Sequence, residues 1–157
     1  MKFDDASWHY GGNYPKGLPT ENASTHIGMF LKWCVCRNLY SEFLAEESTE
    51  EVKSVRDGKM TGAQLLIHWD EKFVDDMLSE TGNLFALDYY ESKTKFAKKY
   101  DSYTNDYCYI FDKKADENGF EYESLYHVED TKENYDLMAA KIDERFQQWV
   151  KFKKIKL

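Results

Sequence analysis

Along this 157-residue chain, apolar side chains recur at three- and four-residue steps far more often than they alternate, so helix is the dominant expectation. Ile27, Phe30, Leu31, Cys34, Val35 and Leu39 form one such stripe, with Ser24 or Thr25 placed to cap it, and the pattern predicts a first helix running to about Glu46. Gly28 conflicts with helix propensity near its start and points to close packing or ligand access there. Ser48-Thr49-Glu50-Glu51 has the capping-box arrangement and Gly58 supplies a stop, which predicts a short second helix. Thr61-Gly62-Ala63-Gln64 repeats the signal. Leu66, Trp69, Phe73, Val74, Met77 and Leu78 then predict a third helix ending before Gly82, with Asp70, Glu71, Asp75 and Asp76 on its other face. The run from Leu84 to Tyr90 reads as helix, resumed after a break through Phe96 and Tyr100. Asp130-Thr131-Lys132-Glu133 opens the strongest helix, whose stripe is Tyr135, Met138, Ala139, Ile142, Phe146, Trp149 and Val150.

Two segments depart from this period. Residues 1–24 contain Gly11-Gly12, Gly17, Pro15 and Pro19, and read as a structured loop whose Trp8, Tyr10 and Tyr14 pack back on the helices. Residues 106–127 carry two β-prone aromatic runs, Tyr107 to Phe111 and Phe120 to Tyr126, around a polar loop ending in Asn118-Gly119, and read as a β-hairpin. The expected fold is therefore mainly α, a single-domain helical bundle with a small antiparallel β-hairpin. Its parts are the loop 1–24, helices over 25–100, the hairpin 106–127 and a closing helix over 130–152. A chain of this length can bury a core without staples.

Composition sharpens the picture in two ways. Aromatic residues make up 17% of the chain, so rings should carry much of the core and of any interface. The net charge is −8, and residues 1–92 hold 8 Lys/Arg against 16 Asp/Glu while residues 93–157 hold 13 against 13, so the whole excess lies in the first part. That sign repels nucleic acid and attracts basic proteins. The lysine-rich end reads as a solvated helix terminus that complements the helix dipole. With no apolar run of membrane-spanning length and no leader pattern, a soluble cytoplasmic protein without membrane association is expected. Cys34, Cys36 and Cys108 lack chelating or disulfide spacing and read as reduced thiols.

The chemistry-bearing residues form no motif that fixes a reaction. His9, His26, His68 and His127 include no zinc-binding pair at helical spacing, and neither a nucleophile elbow nor a phosphate loop occurs, so no metal or cofactor follows from spacing. His68 and His127 read as structural. One candidate pocket remains: Asp4, Asp5, His9 and His26, with Trp8 and Tyr10 lining it, would have to converge from the loop and the first helix. The other candidate is the acidic surface of Glu46, Glu47, Glu50, Glu51, Asp70, Asp75 and Asp76, which with aromatic anchors nearby suits capture of a basic protein.

The segments Asp4-Asp5-Ala6-Ser7-Trp8-His9-Tyr10-Gly11-Gly12, Thr25-His26-Ile27-Gly28-Met29-Phe30-Leu31 with Trp33, and Leu125-Tyr126-His127-Val128 with Asp130 resemble a family of small uncharacterised bacterial cytoplasmic proteins. Members look similar to the small acidic proteins encoded beside bacterial toxin genes, including immunity proteins of contact-dependent inhibition systems. The resemblance implies one common fold and no assigned activity. Together with the charge, it leads to the expectation of a non-enzymatic immunity or antitoxin-like protein that occludes a cognate basic toxin, such as a nuclease. The alternatives are an enzyme or metal-dependent binding domain built on Asp4, Asp5, His9 and His26, and a peptide-binding scaffold or regulatory subunit working through the aromatic hairpin.

Overall fold

The structure, a computed structural model, describes residues 1–90 and 92–156. Its centre is helix α2 (Ser24–Cys36), in which every residue from Ser24 to Val35 except Lys32 is buried. A helix apolar or small on all sides belongs inside a protein rather than on its surface. Phe30 is the hub, with ring centroids of Trp33, Phe73, Phe85, Tyr89, Tyr90 and Tyr103 all 5.1 to 6.2 Å away. Around α2 pack α4 (Thr49–Arg56), α5 (Gly62–His68) and the long α9 (Lys132–Lys153). Helices α3 (Glu42–Glu47), α6 (Glu80–Tyr89), α7 (Lys95–Tyr100) and α8 (Tyr103–Glu117) complete the shell.

The glycine in α2 is there for close packing. A Cβ on Gly28 would lie 2.1 Å from the backbone nitrogen of Ala63, and one on Gly62 would lie 1.7 Å from the carbonyl oxygen of Gly28. The two helices therefore meet backbone to backbone at this crossing, which only a pair of glycines permits.

The fold class is mainly α with a small antiparallel pair of strands, as the periodicity implies, but those strands are not residues 106–127. Strand β1 (Lys2–Asp5) pairs with β2 (Lys72–Val74), Asp4 lying opposite Phe73. The expected hairpin is instead α8 followed by an irregular stretch containing a short 3₁₀ turn, Leu125–His127. Tyr103, Tyr107, Phe111 and Ala115 are buried at four-residue spacing on α8, a helical stripe that the β-prone run 107–111 disguises. Asn118-Gly119 ends that helix: Gly119 has φ 74°, and Phe120 N–H donates to the Ala115 carbonyl at 3.0 Å. The aromatic hairpin invoked by the peptide-binding scaffold reading is thus replaced by a helix and a turn, with Tyr109 and Phe120 left exposed.

Two further helices stop earlier than their apolar stripes suggest. After α2, Asn38 takes a left-handed conformation (φ 57°) while Leu39 N–H reaches the Cys34 carbonyl at 2.8 Å. After α5, Asp70 (φ 54°) does the same and Glu71 N–H reaches Leu66 at 2.9 Å. Both are Schellman terminations carried by residues other than glycine. The first helix thus ends at Cys36 rather than Glu46, and Phe73, Val74 and Met77 continue as strand and 3₁₀ turn. Neither Ser24 nor Thr25 caps α2, whose N-cap Ala23 closes a 3₁₀ turn, Thr20–Ala23. The capping box at Thr61, the stop at Gly58, helices α6 and α7 and the closing helix agree with the sequence reading.

In place of one loop, residues 1–24 hold β1, helix α1 (Ala6–Tyr10) and the 3₁₀ turn. Tyr10 and Tyr14 pack against the core, but Trp8 is 58% exposed with Lys2 Nζ 5.2 Å over its ring.

Candidate functional site

Pairing with β2 fixes Asp4, the next-to-last residue of β1, in a buried position. Asp5 then starts α1 as its N-cap, accepting from the Ser7 N–H at 3.0 Å and the Ser7 hydroxyl at 2.6 Å, and pairs with Lys2. The single turn of α1 carries His9 back over Asp4, and His26 arrives from the first turn of α2. The two imidazoles meet edge to face, centroids 4.7 Å apart. His9 Nε2 is 2.8 Å from Asp4 Oδ1, and His26 Nε2 is 3.8 Å from Asp4 Oδ2. One ligand atom from each of the three residues lies within 4.8 Å of the others. So three of the sequence candidates do converge.

The other three do not join them. Asp5 is spent on the cap and on Lys2, Trp8 faces solvent, and the Tyr10 hydroxyl donates to Glu71 at 2.9 Å. The surrounding groups are other tyrosines. Tyr90 donates to Asp4 Oδ2 at 2.7 Å, the Tyr126 hydroxyl lies 2.9 Å from His9 Nδ1, and the Tyr107 ring packs against His26. Tyr126 is held by Asn22, whose amide donates to its carbonyl, and its ring lies against Tyr14. The sequence offers one sign of Tyr126, its place in the Leu125-Tyr126-His127-Val128 signature. Tyr90 carries no such mark. His127 bonds Ser124 through Nδ1, as its place at a turn suggests, and His68 is half exposed, 3.8 Å from Glu51.

Electrostatics set the protonation of the cluster. Burial alone would raise the Asp4 carboxyl, but hydrogen bonds from His9 and Tyr90 and the neighbouring His26 hold it below the usual carboxylate range. An ionised Asp4 only accepts, so a neutral His9 carries its proton on Nε2 and receives the Tyr126 hydroxyl on Nδ1. Burial pushes His26 down to about 4, against a weaker upward pull from Asp4, so its ring is neutral near pH 7. Among the described residues His26 Nδ1 is buried with no hydrogen-bond partner, and 3.8 Å to Asp4 is too long for a hydrogen bond at Nε2.

The acidic candidates lie elsewhere. Segments 41–51 and 68–77 run side by side: Ser41 donates to the Asp76 carbonyl, Trp69 Nε1 donates to Ser48 at 2.9 Å, and Phe43 packs on Trp69 at 5.6 Å. Among the described residues, Glu46, Glu47, Glu50 and Asp76 are exposed and carry no ion pair, while Asp70 sits 3.9 Å from Lys72. Asp75 is engaged by the terminal amine of Met1. Phe43, 47% exposed, is the apolar residue projecting from this face. A separate groove of about 360 Å³ between α2, α4 and α9 is lined by Lys32, Arg56, Lys59 and Tyr135 and holds none of the histidines.

No helix among the described residues is long and apolar enough to cross a membrane. No curated protein and no solved structure matches the chain. A family model does match, over residues 2–128, which spans β1 through the 3₁₀ turn bearing Tyr126 and takes in the whole Asp/His cluster. The chain belongs to the family described as Domain of unknown function (DUF7832).

Proposed function

We propose that this protein is an immunity or antitoxin-like protein that binds a basic toxin domain, such as a nuclease, and blocks its active site. The observation that carries this reading is the unpaired carboxylates of Glu46, Glu47 and Glu50 beside the exposed Phe43, whose ring rests on Trp69. Carboxylates without internal partners lose no ion pair when they meet a basic surface, so their whole field steers association. Phe43 supplies the apolar anchor that slows release. The similarity of members of the family that the signature resembles to small acidic proteins encoded beside toxin genes is a further reason for this reading.

Co-expression with the toxin domain encoded beside this gene restores growth of a bacterial host under this reading. The double charge reversal Glu46→Lys with Glu50→Lys, checked for an unchanged circular dichroism spectrum, loses that protection. Equal toxicity with and without the wild-type protein refutes the proposal. Association slows as salt rises through the physiological range, where exposed charges are screened over about 8 Å.

A further inference from the structure

The geometry points to a divalent transition-metal site, of the class that takes zinc, formed by Asp4, His9 and His26. Two imidazoles and a carboxylate are a borderline donor set suited to zinc and its neighbours rather than to calcium or magnesium. In a tetrahedral site with bonds of about 2.0–2.1 Å, ligand atoms stand roughly 3.3 Å apart. Here His9 Nε2 stands 2.8 Å from one Asp4 oxygen and His26 Nε2 3.8 Å from the other, and one ligand atom from each residue lies within 4.8 Å of the others. An ion seated between the three residues needs their ligand atoms drawn to that tetrahedral spacing. Side-chain rotation covers that.

Two further observations favour an ion over a plain hydrogen-bond network. The first is His26, a ring 3% exposed whose Nδ1 is buried without a hydrogen-bond partner among the described residues and whose Nε2 stands 3.8 Å from Asp4. A weakly engaged buried ring is costly, and an ion on Nε2 replaces the long approach to Asp4 with a strong bond, while Nδ1 keeps its present surroundings. The second is the shell outside the ligands. Metal-binding histidines bond their second nitrogen to an oxygen, and ligating carboxylates are themselves hydrogen-bonded. His9 Nδ1 meets the Tyr126 hydroxyl at 2.9 Å, and Asp4 receives Tyr90 at 2.7 Å and the Asp5 N–H at 2.8 Å. When an ion takes His9 Nε2, the ring proton moves to Nδ1 and the Tyr126 oxygen becomes its acceptor, so neutral His9 keeps its proton count. Three protein ligands leave one position for water. The His9 side chain, 23% exposed, is the side from which an ion reaches the cluster.

The test uses full-length protein made without a histidine tag, stripped with chelator and titrated with zinc chloride. Elemental analysis after dialysis should return about one zinc per chain, and cobalt(II) should give the intense visible bands of four-coordinate nitrogen and oxygen ligation. His9→Gln and His26→Gln should each abolish both signals, while His68→Gln and His127→Gln should keep them. If His26→Gln fails to fold, His9→Gln, whose ring reaches the surface, decides alone. Failure of the wild-type chain to hold zinc after dialysis overturns the proposal, and so does stoichiometric zinc or unchanged cobalt bands in His9→Gln. Neither readout depends on a toxin partner.

Discussion

Replacing Gly28 with alanine tests whether the fold rests on a backbone-to-backbone crossing of α2 and α5. Read locally, the substitution should help, because alanine is favoured over glycine inside a helix by about 1 kcal/mol. The structure opposes this. The new Cβ would sit 2.1 Å from the Ala63 nitrogen, 2.4 Å from the Gly62 carbonyl carbon and 2.5 Å from the Ala63 Cα, where ordinary contact begins at 3.4 Å. All three atoms are backbone, so no rotamer change relieves the clash and the helices must part by more than 1 Å. Overpacking typically costs about 1–3 kcal/mol and more where backbone must move, and the separation also loosens the layer of rings around Phe30. The net expectation is a loss of about 3 kcal/mol, a fall of roughly 6–12 °C in Tm for a chain of this size. Urea and thermal unfolding followed by circular dichroism measure it. Gly62→Ala, acting from the other side of the same contact, should cost a similar amount, and the double variant less than the sum of the two. Gly12→Ala is the control, because its nearest atoms would be 3.7 Å away. A Gly28→Ala protein as stable as wild type or more so would refute the close crossing.

Other consequences are open to direct measurement. Asp106 on α8 accepts both Arg145 Nε and Nη2 at 2.8 Å and the Tyr89 hydroxyl at 2.8 Å, with side-chain exposures of 4% for Asp106 and 13% for Arg145. Asp106→Ala strands the guanidinium and should cost about 3–5 kcal/mol in denaturant unfolding; an effect under about 1 kcal/mol would contradict the reading of a buried, mutually dependent pair. In chelator-treated protein, acid should destabilise the fold well before its carboxylates titrate. His26 is held at about 4 when folded and returns to the ordinary 6.5 when unfolded, so the unfolded chain binds the extra proton between those values. Its contribution is fully present above pH 6.5 and falls by about 3 kcal/mol as the pH drops to 4. Asp4, His9, Tyr107 and Tyr126 are the titratable groups facing it, and the depressed Asp4 adds a further loss in the same direction at lower pH. Flat stability from pH 7 to 4.5 would show that His26 is not buried. Cys34 is fully buried and its thiol is pushed up by burial, so aromatic disulfide reagents should leave it unlabelled until the protein is denatured, whereas Cys36 and Cys108 are partly exposed. Three fast thiols in the native protein would disprove that.

Much of the helical framework is legible in the sequence because its signals are local. Thr61-Gly62-Ala63-Gln64 announces α5, Gly58 closes α4, and the long stripe beginning at Tyr135 can only be a helix. What escapes are left-handed stops on residues that look ordinary. Asn38 and Asp70 end helices in the way Gly58 and Gly119 do, yet either could continue a helix in another context, so the stripes before them seem to run on. Asn118-Gly119 is ambiguous in the opposite sense, since the same pair suits a hairpin turn and a helix C-terminus. Only the burial of Tyr103, four residues before Tyr107, decides between them. The same limit applies to the site. Asp4, His9 and His26 stand out by residue type, but their convergence depends on the pairing of β1 with β2, and Tyr90 and Tyr126 come from positions that are far away along the chain. Trp8 shows the converse: a residue type that usually signals a buried wall is here on the surface.

The pairing of residues 2–5 with 72–74 has a consequence for how the molecule assembles. It closes a ring of about 70 residues, and the entropy of that closure must be met before its contacts give any return. Helices α2, α4 and α5 can collapse with their neighbours beforehand, whereas Asp4 takes its final place beside His26 when the ring shuts. Asp4 and His9, carried on one segment, are then the last members of the cluster to reach His26 and, in any partial opening, the first to leave it. Hydrogen exchange should find the amides of β1 among the earliest to open, ahead of α2, and an ion bound to Asp4 would slow that opening by fastening the strand to the buried helix.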